Sequence, residues 1–393
     1  MLGCTIGLGM GASILLYING VFVTAFKTEF GWTRSQLAMI NVITVLTVIP
    51  LAPLAGIIVD RWGPRRPAVI SMALIAVGFT ATGCMSGNFL EYLALYLATS
   101  VTGLLSSPIS YTRAINENFV AARGLALGLS LTGLGITGVI APPAMAAIMA
   151  AYGWRMAYFA LAGAICLAIL PVYLLLKPSV DQPSSNHTTS VVDTDAARIA
   201  RIPFRHLIGD KRLLRLMALF FFMAIGVTGF TLHLIPMLTD GGMAPIKAAA
   251  IQSILGIAII CGRLVTGAAA DHFFAPRVAA ISMSITVCGM IAMATGGMAF
   301  APLFVLGIGL ALGAESDLIG YLTARYFGIN GYGQRYGVLY SSYLLANGFS
   351  PLLIALVSEH FGSYQPALLM CAAFASMATI LLLTAPRFPP QSV

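Results

Sequence analysis

The sequence predicts an all-α membrane protein of twelve transmembrane helices in two six-helix pseudo-symmetric bundles. Three observations carry this expectation: a composition too apolar for water, apolar stretches of bilayer length, and an internal repeat. Of 393 residues, 59% are hydrophobic and 9% charged, against about 25% charged in soluble domains. Forty glycines and twenty prolines suit helices that pack through small residues and tolerate breaks in lipid.

Apolar runs of the length needed to cross about 30 Å of hydrocarbon lie near 3–26, 36–60, 67–87, 89–112, 124–150 and 156–176, then 214–238, 246–270, 278–298, 302–324, 337–358 and 367–385. A barrel would alternate polar and apolar residues instead. The first run has no basic n-region and no small-residue cleavage site, so it reads as a retained span. Residues 177–213 form the one long polar stretch, rich in Ser, Thr, Pro and Asp and then in Arg and Lys. They read as a linker, with a short amphipathic helix near 196–206, between domains at 1–176 and 214–393.

With the N-terminus inside, sixteen Lys and Arg fall on the linker side, four on the other (Lys27, Arg34, Arg155, Lys247), and Arg263 lies within a span. By the positive-inside rule both termini are cytoplasmic, and the net charge of +8 marks topology rather than nucleic-acid binding. The six cysteines stand singly in apolar segments with no CxxC, which predicts packing roles and neither disulfides nor a metal site. No P-loop, nucleophile elbow or cofactor motif occurs, so no enzyme and no cofactor is expected.

The repeat has an offset near 211. Gly56 and Asp60, four residues apart at the end of span 2, recur as Gly267 and Asp271 at the end of span 8; Arg113 and Arg123 recur as Arg325 and Arg335; Tyr152-Gly153 recurs as Phe361-Gly362. Parallel six-span repeats joined by an inner linker predict a solute site at mid-membrane that the halves expose alternately.

The run Gly56-Ile57-Ile58-Val59-Asp60-Arg61-Trp62-Gly63-Pro64-Arg65-Arg66 resembles the loop 2-3 signature of the major facilitator superfamily, G-x-x-x-D-R-x-G-R-R. The resemblance implies that Gly56, Asp60, Arg61, Gly63, Arg65 and Arg66, with Gly267 and Asp271, stabilise one access state and part as the halves rock. Phe30-Gly31-Trp32-Thr33-Arg34 after span 1, Cys261-Gly262-Arg263 in span 8 and Glu315-Ser316-Asp317 in span 10 are similar to the monocarboxylate and oxalate/formate branch as it occurs in bacteria. It implies a monomeric carrier of a small organic anion in the inner membrane, coupled to protons by symport. The alternative within the fold is a proton-driven drug or metabolite efflux antiporter. The chain departs from the branch at Tyr343, where the oxalate exchanger has a lysine, and at Ile259, where animal carriers have an aspartate. A monoanion therefore fits better than a dianion. Span 4 has no charge between Ser100 and Ser110, unlike drug-exporting antiporters.

Arg263 is the first candidate for substrate binding. A charge at mid-helix costs about 2.5–3.5 kcal/mol on insertion scales, so it must face a cavity or a partner, and its planar fork suits a carboxylate. An ion pair with Glu315 or Asp317 is the structural alternative, and the two can hold in alternation. Arg263 precedes Asp271 by eight residues and Glu315 precedes Arg325 by ten, about 12 and 15 Å of rise, so they lie at comparable depth. Glu315 and Asp317 point about 200° apart, leaving one of them for the cavity and for proton coupling. Asp240 and His233 are further proton-coupling candidates, against a solvated loop acid and packing on Pro236. Tyr17, Asn19, Ser106, Ser107, Tyr343 and Asn347 complete the substrate set, with interhelical hydrogen bonding as the competing role for each.

Overall fold

The computed structural model describes residues 1–119, 122–177 and 202–389. Among these, nine continuous stretches are long and apolar enough to cross a bilayer. Two are double: Arg123–Leu175 bends at Gly153, whose φ of 82° lies outside the helical region, and Ala275–Glu315 holds the helices Ala275–Gly296 and the start of Ala301–Phe327. Those nine stretches therefore make eleven crossings. The twelfth is the broken helix pair Leu2–Met10 and Ile14–Phe30, which opens the chain as span 1.

Local chemistry sets the ends. Span 2, Arg34–Trp62, starts at a capping box in which Thr33 and Gln36 satisfy one another's backbone amides. Span 7 begins at Lys211, behind Asp210, whose carboxylate accepts from the amides of Arg212 and Leu213. Spans 8 and 9 begin with Pro245 and Pro276, where a missing N–H costs nothing.

Three spans are interrupted. Span 1 breaks at residues 11–13, where the Ala12 amide donates to the Ser106 carbonyl at 3.3 Å. Span 4 breaks at the 3₁₀ turn Leu104–Ser106, just before Pro108. Span 7 breaks at 228–229, where the Gly229 amide donates to Ser350 Oγ at 2.9 Å and Ser350 Oγ donates to the Ile225 carbonyl at 2.8 Å. The freed backbone groups are met from neighbouring spans, as a lipid-embedded break requires.

Contacts divide the chain into two compact units. Unit 1 comprises Met1–Asn118, Gly133–Gly209 and Phe327–Gly337; unit 2 comprises Phe119–Thr132, Asp210–Tyr326 and Val338–Val393. The first turns of span 5 thus group with unit 2, and those of span 11 with unit 1. Within unit 1, Phe22, Phe26, Trp32, Tyr92, Trp154 and Tyr158 stack into one aromatic core. The flanks carry apolar side chains open to the surroundings, Leu167 at 80% and Val139 at 71% exposure among them, which only a lipid environment accommodates.

Of the linker, residues 178–201 lie outside the described residues, including most of the expected helix at 196–206; the helix that is described there runs Phe204–Gly209. Cys4 and Cys371 pack in the core as expected, whereas Cys84, Cys166, Cys261 and Cys288 face outward. Helices in lipid present apolar thiols on their outer surface at no cost, so these four do not pack as the sequence suggested.

Candidate functional site

Two clasps of the same design hold helix starts. In unit 1, Gly56 meets the main chain of Gly333 so closely that a Cβ on either would overlap the other's carbonyl oxygen. Asp60, one turn on, accepts from the amides of Gly333 at 2.8 Å and Gln334 at 2.9 Å, in the first turn of span 11, Tyr332–Phe361. In unit 2, Gly267 meets Gly124, and Asp271 accepts from the amides of Gly124 at 2.6 Å and Leu125 at 2.9 Å, in the first turn of span 5. Each carboxylate meets the exposed amides and positive end of a helix.

Arg113 completes the first clasp. Its Nη1 bonds Asp60 Oδ1 and donates to the Val59 carbonyl at 2.9 Å, while Nε donates to Glu117 at 2.7 Å. Sequence reading counted Arg113 only as a topology charge and a repeat marker; its i,i+4 spacing to Glu117 was the available signal. Gly63 has a φ of 72°, and Arg65 lies 3.8 Å above the Tyr173 ring. Arg61 and Arg66 are exposed. Gln334 also ties the linker to span 11: its side chain donates to the Ile202 carbonyl at 2.9 Å and accepts from the Ile202 amide at 3.0 Å.

Around Arg263, spans 5, 8 and 10 approach at backbone distance. Gly128 lies against the Arg263 carbonyl and the Asp317 carboxylate, Gly262 against Leu310, and Gly313 against the Ile259–Arg263 turn. Arg263 is 9% exposed. Its Nη1 donates to the Leu131 carbonyl of span 5, and its buried Nε has no hydrogen-bond partner. Glu315 is 2% exposed and its Oε1 is likewise without a partner. No ion pair joins Arg263 to Glu315 among the described residues.

The two acids of span 10 diverge as their spacing requires. Asp317 borders a small recess with Gly124, Thr266, Gly267 and Tyr321, beside the second clasp. Tyr343 of span 11 instead lies within electrostatic range of both Glu315 and Arg263, and accepts from Asn347 Nδ2 at 3.3 Å. The structure therefore brings Arg263, Glu315, Tyr343 and Asn347 into one neighbourhood of unit 2.

The other candidates have these partners within their own units. Ser106 and Ser107 are buried within the span 4 break, Ser106 Oγ 2.8 Å from Tyr111 OH and Ser107 Oγ accepting from the Ile109 amide at 3.4 Å. Asn19 donates to Asn41 Oδ1 at 2.9 Å and bonds the Tyr96 hydroxyl, a triad the sequence did not reveal. Tyr17 packs against Gly138. His233 bridges the Tyr364 hydroxyl at 3.3 Å and the Pro351 carbonyl at 3.0 Å. Asp240 is exposed at the end of Phe230–Asp240. No cluster of three or more His, Cys, Asp or Glu side chains is placed to hold a metal among the described residues.

Comparison with known proteins agrees with this geometry. Monocarboxylate transporter 11 of Mus musculus is 26% identical over 393 aligned positions, covering 96% of this chain and 85% of the relative. Monocarboxylate transporter 13 of Bos taurus is 25% identical over 94% of this chain and 84% of its own. Among solved structures, the E. coli fucose:proton symporter superposes with a TM-score of 0.75 at 15% identity, covering 98% of each chain. A human organic anion transporter reaches 0.69 at 14%, covering 97% of this chain and 98% of its own. These likenesses show the twelve-helix transporter fold. The family model described as Major Facilitator Superfamily matches residues 1–327, and the chain belongs to that superfamily of membrane transporters.

Proposed function

We propose that this transporter carries a small monocarboxylate together with a proton by alternating access, with the linker and both termini on the cytoplasmic side of a bacterial inner membrane and the monomer as the working unit. The observation that carries the reading is Arg263: a permanent cation buried in span 8 with one nitrogen on a main-chain carbonyl, its Nε unpartnered and, among the described residues, no ion pair to Glu315. A planar guanidinium in that condition gains more from an incoming carboxylate than from any neutral solute. The names of the relatives, monocarboxylate transporters at about 25% identity, favour the same class.

Glu315 takes the coupling proton in this scheme. A carboxyl enclosed without a partner is cheaper to hold neutral than charged, and its proximity to Tyr343, which also lies within electrostatic range of Arg263, lets substrate arrival alter that balance. Asp317, Asp240 and His233 are secondary proton sites. Tyr343 and Asn347 orient the solute beside Arg263; Tyr17, Asn19, Ser106 and Ser107 are the solute-binding candidates of unit 1. Breaks in spans 1 and 7 support a mid-membrane site, because interrupted helices are where such carriers bind. The Asp60 and Asp271 clasps, with Arg61, Gly63, Arg65 and Arg66, hold one access state.

The test is uptake into proteoliposomes of radiolabelled lactate and pyruvate with the outside acidified. Accumulation that collapses when the pH gradient is dissipated is expected. Indifference to every carboxylate, or efflux of an unrelated solute driven by inward protons, overturns the reading in favour of antiport.

A further inference from the structure

We propose that the chain after span 12, Gln365–Leu383, acts as a switch on the second clasp: Phe388, seated against the guanidinium of Arg325, holds that arginine off Asp271. Release of the tail lets Arg325 complete the clasp as Arg113 completes the first. The device lies wholly within unit 2 and is independent of what the protein transports. Its origin is a difference between the repeats. Arg113 and Arg325 are counterparts in the sequence, as are Asp60 and Asp271. Arg113 bonds Asp60, whereas no ion pair joins Arg325 to Asp271 among the described residues. The buried Nε of Arg325 has no hydrogen-bond partner. The arginines at the helix starts do not cause the difference, since Arg335 lies in electrostatic range of Asp60 and Arg123 holds the matching place at the start of span 5.

What Arg325 meets instead is the tail. Its Cζ lies 4.6 Å from the centre of the Phe388 ring. That ring also packs on Phe274 and Tyr326, each with centroids 4.9 Å away, and on Tyr321 at 6.5 Å. Phe274 follows Asp271 by three residues, so Phe388 is wedged between the end of span 10 and the segment that carries the clasp. Tyr321, one turn before Arg325, donates to the Ala270 carbonyl at 2.8 Å and lies in electrostatic range of both Asp271 and Arg325. The acid and the arginine thus flank one side chain, and the long, rotatable stem of an arginine gives it the reach to exchange ring for carboxylate.

Anchoring decides which partner wins. A guanidinium over an aromatic face and one on a partly exposed carboxylate are held with similar strength, so neither Phe388 nor Asp271 prevails by itself. The tail tips the balance because it is tied down on both sides of the ring. Arg215 Nη2 donates to the Leu381 carbonyl at 2.9 Å and to Thr384 Oγ1, and the Tyr326 hydroxyl donates to the Pro386 carbonyl at 2.6 Å. Pro386 and Pro389 bracket Arg387 and Phe388, and a residue before proline is confined to extended backbone, which limits how far the ring can stray. Loosening these few contacts frees Phe388 and Arg325 together.

Double-mutant cycles on the full chain in detergent, read as the midpoint of thermal unfolding, test the switch. With Phe388 in place, Arg325→Gln and Asp271→Asn should shift the midpoint additively, because the two side chains do not meet. In a Phe388→Ala background the same pair should become non-additive by about 2 °C. Phe388→Tyr, which keeps the ring face, should restore additivity. Arg215→Gln, which loosens the tail and leaves the ring intact, should give the same non-additivity and serves where Phe388→Ala does not fold. Coupling of Arg325 to Asp271 in the native chain, or continued additivity once the tail is loosened in a protein that gel filtration shows folded, overturns the proposal. None of these readings uses a substrate or a gradient, so they stand apart from the transport test.

Discussion

Arg263 and Glu315 are the residues whose exchange most directly separates binding from coupling. Arg263→Lys keeps the charge and loses the fork; with about 1.5–3 kcal/mol at stake in a charge-assisted hydrogen bond, apparent affinity for the carboxylate should fall about ten- to hundredfold, and Arg263→Ala should abolish uptake. Glu315→Gln should remove accumulation driven by a pH gradient while leaving exchange of internal for external substrate intact. Both are read in proteoliposomes after gel filtration shows the variants folded. The two residues were legible in the sequence because a charge inside an apolar run has to be accounted for. Their surroundings were not. The Leu131 carbonyl that receives Arg263 is a main-chain acceptor 132 residues away, and main-chain acceptors have no signature. Likewise the sequence did not show that Ser106 lies in the break of span 4, its carbonyl accepting from Ala12 and its hydroxyl beside Tyr111.

At the scale of helices, the Gly-x-x-x-Asp ends of spans 2 and 8 set the register of spans 11 and 5. Asp60→Asn and Asp271→Asn each remove a charged cap, which at about 0.5–2 kcal/mol should lower the midpoint of thermal unfolding in detergent by a few degrees. Gly267→Val forces two backbones apart, costs about 1–3 kcal/mol of overpacking, and should lower it further. Gly135→Ala, whose added methyl meets nothing within 4 Å, should leave it unchanged. Equal effects at Gly135 and Gly267 would show that the close approach is not what matters. The accepting halves of the clasps, Asp60 and Asp271, were readable as a repeat. The donating halves, amides at Gly124, Leu125, Gly333 and Gln334, were hidden because every residue but proline owns one. Breaks in spans 1 and 7 were also missed: they fall at Gly11–Ser13 and Thr228–Gly229 without a proline, whereas Pro142 and Pro143 lie in unbroken helix.

The whole molecule was the most legible level, since a bilayer imposes length, polarity and charge placement on the entire chain. All twelve crossings coincide with the apolar runs of the sequence to within a few residues, span 1 included despite its break. The sidedness drawn from arginine and lysine placement predicts that a green fluorescent protein fused after Val393 fluoresces and that alkaline phosphatase fused there is inactive; the reverse pair of results would invert the orientation. A last consequence concerns the tie between Gln334 and residue 202. Because that amide grips only peptide N–H and C=O, the tether is blind to side-chain identity: nineteen residue types can serve at 202, and proline alone, having no N–H, would leave it half made.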